Sequence, residues 1–178
     1  MRLLVCASAL VAGVTMASPV YAQRSIHFGV AAGSSVPVGI LDNAFGAGPT
    51  GLATISMGPP DAPMGLRLDY QYSGFKGKTS SGTTAGDMHI NSATANLVVP
   101  FRVGYVKPYV IGGLGYYPLR LPGAAKRESD WGANGGAGIS FGLPFAGTGA
   151  FLEVRYHDIN RSNTQSYHFV PITFGVLF

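Results

Sequence analysis

The stretch Met64–Gly74 (MGLRLDYQYSG) sorts its side chains by parity: Leu66, Leu68, Tyr70 and Tyr72 on one face, Arg67, Asp69, Gln71 and Ser73 on the other. A period of two is the signature of an extended strand, since successive side chains point to opposite faces, whereas a helical turn would mix the two sets. Gly149–Asn160 (GAFLEVRYHDIN) repeats the pattern, with Leu152, Val154 and Tyr156 against Glu153, Arg155 and His157. Ser166–Phe178 places Val170, Ile172, Phe174, Val176 and Phe178 opposite Thr173 and Gly175. Met88–Val99 sets Ala93, Ala95, Leu97 and Val99 against Ser92, Thr94 and Asn96.

Four further segments complete the set: Arg24–Gly33, Gly48–Gly58, Lys107–Pro118 and Gly132–Leu143. The last two are too rich in glycine for faces to be assigned. After residue 23, Gly or Pro interrupts nearly every window of ten, and no helical period survives. The eight segments are close to the roughly 9–11 residues that a tilted membrane strand requires. Their connections alternate in length. Ser34–Ala47, Phe75–Asp87, Leu119–Trp131 and the shorter Arg161–Gln165 are polar loops; Pro59–Pro63, Pro100–Val106 and Pro144–Thr148 are tight turns. Each tight turn begins with proline, which cannot donate to a sheet ladder and so ends a strand.

Alternation with charge on one face fits two architectures. A soluble sheet buries its apolar face, whereas a membrane barrel turns that face to lipid and its charges to the lumen. Long loops on one side and short turns on the other favour the second. Closure then follows from hydrogen bonding: hydrocarbon offers no partner to a backbone N–H or C=O, so an open edge costs several kcal/mol per group. The expected fold is all-β, an eight-stranded antiparallel up-and-down transmembrane β-barrel, with both termini on the short-turn side.

The N-terminus reads differently. Met1-Arg2 is a short positive region, Leu3–Val14 carries no charge, and Val20-Tyr21-Ala22 has the small-x-small form of a cleavage site. This layout predicts a signal peptide over residues 1–22 and a barrel domain over 23–178. The apolar run is shorter than the roughly 20 residues of a spanning helix. Cleavage would remove Cys6, the sole cysteine, and with it any disulfide or thiolate chemistry. Loss of Arg2 would leave 11 basic against 8 acidic residues, a net charge of +3. These charges are scattered, with Lys126-Arg127 followed by Glu128 and Asp130, so no basic face for nucleic acid is formed. With 26 Gly and 19 Phe plus Tyr but only 20 charged residues, the composition suits a β-barrel rather than a disordered chain.

Several stretches resemble the small outer-membrane barrels of the OmpA/OmpX type: Lys107–Tyr117 (KPYVIGGLGYY), Asn134–Ile139 (NGGAGI), Glu153–His157 (EVRYH) and Val170–Phe178 (VPITFGVLF). The resemblance implies export to the outer membrane of a Gram-negative-type envelope and contact with outer-membrane lipids. It also implies recognition by barrel-assembly machinery through the C-terminal strand, with Phe174, Val176 and Phe178 as the assembly signal. The function it implies is mainly structural, with at most a narrow pore; the alternative is surface adhesion or ligand binding through extracellular loops. The fold alone does not decide between these.

The candidate site is a lumen charge network of Arg67, Asp69, Glu153 and Arg155, with His157 one step further along its strand. Two arginines and two carboxylates permit local neutrality, which buried charge requires. His27, His89, His157 and His168 form no metal-binding spacing, and no metal or cofactor is expected. His157-Asp158 lies near Ser162, but no spacing marks a nucleophile, and no enzyme is expected. Gly112-Gly113 and Gly135-Gly136 lack the Lys-Ser/Thr of a phosphate loop. Tyr105, Tyr109, Tyr116, Tyr117, Trp131, Tyr156 and Tyr167 are expected as interfacial girdle residues. The Ser/Thr/Gly-rich loop Phe75–Asp87 is the expected exposed, mobile or adhesive surface.

Overall fold

The computed structural model describes residues 25–58, 63–80, 83–84, 86–101, 105–120, 128–143, 148–161 and 165–178. The expected signal peptide, 1–22, and Ser162 lie outside them. Eight long strands run β1 (Ser25–Val38), β2 (Gly48–Gly58), β3 (Gly65–Gly77), β4 (Met88–Pro100), β5 (Val106–Arg120), β6 (Glu128–Gly142), β7 (Gly149–Asn160) and β8 (Tyr167–Leu177). Each pairs antiparallel with its sequence neighbour, and β8 returns to β1. The seam runs from Gly29↔Leu177 to Val38↔His168 and is fastened at its end by Phe28 and Phe178, whose N–H groups each donate to the other's carbonyl at 3.2 and 2.7 Å. The sheet is thus an up-and-down barrel without a free long edge among the described residues.

The parity read from β3 holds in three dimensions. Leu66, Leu68, Tyr70 and Tyr72 are exposed on the outside, while Arg67, Asp69, Gln71 and Ser73 are buried inside. Leu152, Val154, Tyr156, Ile172 and Phe174 likewise face out. An outer wall this apolar, around an interior holding two arginines and two carboxyl side chains, is the inverse of a soluble protein.

The structure also assigns the glycine-rich strands. Tyr109, Ile111, Tyr117 and Leu119 of β5 and Asn134 of β6 point inward. The inward glycines of β6 and β8 leave room for bulky cross-strand partners. A Cβ at Gly138 would fall 2.4 Å from the Tyr109 ring, and one at Gly175 would fall 2.7 Å from that of Phe151. These are register partners, Tyr109↔Gly138 and Phe151↔Gly175, so large and small residues alternate across facing positions to fill a narrow interior.

Two expectations need correction. Tyr109 and Tyr117, expected in the girdle, are buried in the lumen; both sit at inward parity, and each hydroxyl has a buried polar partner there. Tyr167 is half-buried against the apolar cluster of the interior. Trp131, Tyr116, Tyr156 and Tyr105 are exposed, and Trp131 meets Tyr116 edge-on at 5.7 Å. The second correction concerns Ser34–Ala47. β1 continues to Val38, a short helix α1 (Ile40–Ala44) follows, and Phe45 and Gly46 pair with Gly77 and Lys76 of β3. Gly39, at φ +64°, makes the turn from strand to helix in a region that favours glycine. β3, β5 and β6 also extend on their long-loop ends beyond the expected boundaries, so the strands outrun the hydrocarbon and raise a wall on that side.

Candidate functional site in the lumen

Arg67 and Asp69 sit on β3, Glu153 and Arg155 on β7, with three strands between them in either direction around the barrel. Their inward parity makes them meet across the lumen. Arg67 Nε donates to Asp69 Oδ1 at 2.9 Å, and Arg67 Nη1 and Nη2 form a fork onto Glu153 at 2.8 and 3.2 Å. Arg155 Nε donates to Glu153 Oε1. Arg155 Nη2 stands 2.6 Å from Asp69 Oδ2, an ion pair without hydrogen-bond alignment. Each arginine therefore touches both carboxylates, and each carboxylate both arginines: a closed, neutral ring spanning the diameter.

All four side chains are buried, with 5 per cent or less of each residue exposed. Charges in such a place need their remaining lone pairs satisfied. Thr54 Oγ1 accepts from Arg67 Nε at 2.9 Å, Asn96 Nδ2 donates to Asp69 Oδ2 at 2.9 Å, and the Tyr109 hydroxyl donates to Glu153 Oε2 at 2.6 Å. Arg67 also lies over the Phe151 ring, 5.2 Å from its centre. Side chains from β2, β4 and β5 thus brace the ring that β3 and β7 supply.

His157, two residues beyond Arg155, is buried but takes another partner. Its Nδ1 lies 2.9 Å from the Tyr117 hydroxyl, and its ring stacks on Phe169 at 4.6 Å. It marks the border between the ionic ring and an apolar layer toward the long loops. That layer comprises Phe75, Met88, Ile90, Leu119, Ile159 and Phe169 within the strands, and Leu41 and Phe45 brought in by the α1 segment. α1 is tied down by Lys78, whose Nζ lies 2.9 Å from Asp42 Oδ1 and whose N–H donates to the Ala44 carbonyl at 2.9 Å. The sequence reading missed this layer, because its inward residues are as apolar as lipid-facing ones. The one available signal was parity carried onward from Ser73 to Phe75 and from His157 to Ile159.

Phe174 and Phe178 are exposed on the outer wall and Val176 is half-buried, beside the seam with β1. Among the described residues no group of three His, Cys, Asp or Glu side chains is placed to hold a metal ion.

The chain matches the outer membrane protein β-barrel domain family over residues 4–178. No curated protein matches it. Among solved structures it is similar to Neisserial surface protein A (NspA), at TM-score 0.63 and 20% identity, covering 86% of this chain and 97% of that one. It is also similar to the N-terminal β-barrel domain of Pseudomonas aeruginosa OprF, at TM-score 0.56 and 15% identity, covering 85% and 97%. At such identities the likeness is one of fold. The closed eight-stranded sheet, its apolar exterior and the family match together make this chain a member of the outer membrane protein β-barrel domain family.

Proposed function

We propose that this outer-membrane barrel acts by binding at the cell surface through its long-loop rim, with the barrel as a sealed pedestal. The observation that supports this is the double closure of the lumen. The ionic ring spans the diameter, and the dry layer of Phe75, Met88, Ile90, Ile159 and Phe169 stands between it and the loops, with Leu41 and Phe45 of the α1 segment packed into it. A hydrated solute passing this layer would shed its water against hydrocarbon side chains, with no polar partner in exchange. The rim, by contrast, exposes Lys76, Lys78 and Thr79, where the Ser/Thr/Gly-rich stretch of the sequence begins.

In this reading, residues 1–22 are the export signal, cleaved after Ala22. Phe174, Val176 and Phe178 present the assembly signal on the last strand before it closes onto β1. The reading is tested by replacing residues 79–86 with a short Gly-Ser turn and measuring retention of bacteria displaying the barrel on a cell monolayer. Retention is expected to fall to the level of cells lacking the protein, while the unboiled barrel keeps its shifted migration on a gel. Unchanged retention with a folded barrel would refute a role for this loop.

A further inference from the structure

The opposite end of the lumen has a different character. Below the ionic ring, on the short-turn side, lie two adjoining cavities of about 360 and 230 Å³ that share His27, Lys107, Ser140 and Leu177. The larger falls in the range of small-molecule sites, roughly 300–1,000 Å³. Its walls are mixed: Val98, Phe151 and Leu177, all at inward parity, supply apolar surface, and Arg67 and Tyr109 form its inner end. Phe151 and Tyr109 are themselves locked, one opposite Gly175 and the other donating to Glu153, so the inner end is rigid.

Among the described residues the charge of this chamber is one-sided. No Asp or Glu is among the described residues lining either cavity. The Arg67 charge is spent on Asp69 and Glu153, leaving Lys107 as a cation facing the chamber, with the His27 imidazole beside it. Lys107 sits two residues from Tyr109 at inward parity, and Ser140 Oγ donates to its carbonyl at 3.3 Å. A cation at the mouth of an apolar chamber attracts an anion more strongly than the same cation would on an open surface.

We propose that this short-turn chamber binds a small amphipathic anion, a carboxylate on a short alkyl chain. The carboxylate pairs with Lys107 at the mouth, and the chain lies against Val98, Phe151 and Leu177. The site is separate from the loop rim and does not depend on surface binding.

Leucine and valine methyl groups provide the test. Val98 and Leu177 line the chamber, whereas Leu119 lies in the apolar layer at the other end of the lumen. The protein, ¹³C-labelled at its leucine and valine methyl groups, is placed in phosphatidylcholine nanodiscs and titrated with octanoate. The expected result is a saturable shift of the Val98 and Leu177 methyl signals with Leu119 unmoved. Lys107→Glu, an exposed position, is expected to weaken binding at least tenfold with the spectrum otherwise preserved. Absence of a saturable shift, equal movement of Leu119, or equal binding by octan-1-ol would overturn the proposal. So would equal binding by inorganic phosphate or undiminished binding by Lys107→Glu.

Discussion

The ionic ring and the apolar layer are neighbours along the same strands, yet they fill the same lumen by opposite physics. In the ring, Arg67, Asp69, Glu153 and Arg155 pay a large desolvation cost that their mutual contacts and the hydrogen bonds of Thr54, Asn96 and Tyr109 offset. In the layer, Phe75, Met88, Ile159 and Phe169 gain from leaving water and from packing. The ring is therefore cooperative: its members are useful together and harmful singly. The layer is closer to additive. One consequence is a division of labour, in which the ring fixes how β3 and β7 face each other and the layer excludes water on the loop side.

The largest expected effect comes from breaking the ring at one point. Glu153→Ala would leave Arg67, Arg155 and the Tyr109 hydroxyl without their shared acceptor, at a cost of about 4–5 kcal/mol, toward the top of the range for a broken buried pair. This is measurable as a lowered midpoint in urea unfolding from lipid bilayers. Replacing all four ring residues by Met and Leu of similar volume is expected to cost less than Glu153→Ala alone, since no charge is then stranded. If the quadruple variant is instead the less stable, the cooperative account of the ring is wrong.

Next in size is Phe169→Ala, which removes a fully buried ring contacting Phe75 and His157. A cost of about 3 kcal/mol is expected from lost burial and the cavity left behind. Its sum with Glu153→Ala should be nearly additive if ring and layer are separate, and a double-mutant cycle on unfolding free energies measures this directly. The smallest effect is expected from Lys78→Ala. The pair with Asp42 is largely exposed, so global stability should fall by less than about 0.5 kcal/mol. The visible change should be faster hydrogen exchange at the α1 amides, since the Lys78 side chain is one of the contacts that hold that helix.

How far the sequence could be read follows the same border. Where the interior is polar, as from Arg67 to Ser73 and from Glu153 to His157, alternation of polarity reports inside and outside, and strands and facing are legible. Where the interior is apolar, the contrast between faces disappears. Phe75 and Leu119 then fall in expected loops, Ile90 and Ile159 lie in expected strands without a telling face, and the long-loop ends of β1, β3, β5 and β6 reach two to five residues beyond the expected bounds. Gly113, Gly115, Gly136 and Gly138 carry no side chain to report facing, and their role emerges only from partners such as Tyr109. The inward turn of Tyr109 and Tyr117 was hidden for a related reason: a tyrosine suits both a headgroup interface and a buried hydrogen bond. α1 was not legible because five residues behind a glycine carry no helical period.

The central claim is that the lumen is shut, and single-channel recording in planar bilayers addresses it most directly. The protein inserted at high purity should give a flat current at ±100 mV, with no discrete steps above the bare membrane. Reproducible unitary steps from the unmodified barrel, abolished when the protein is omitted, would contradict it.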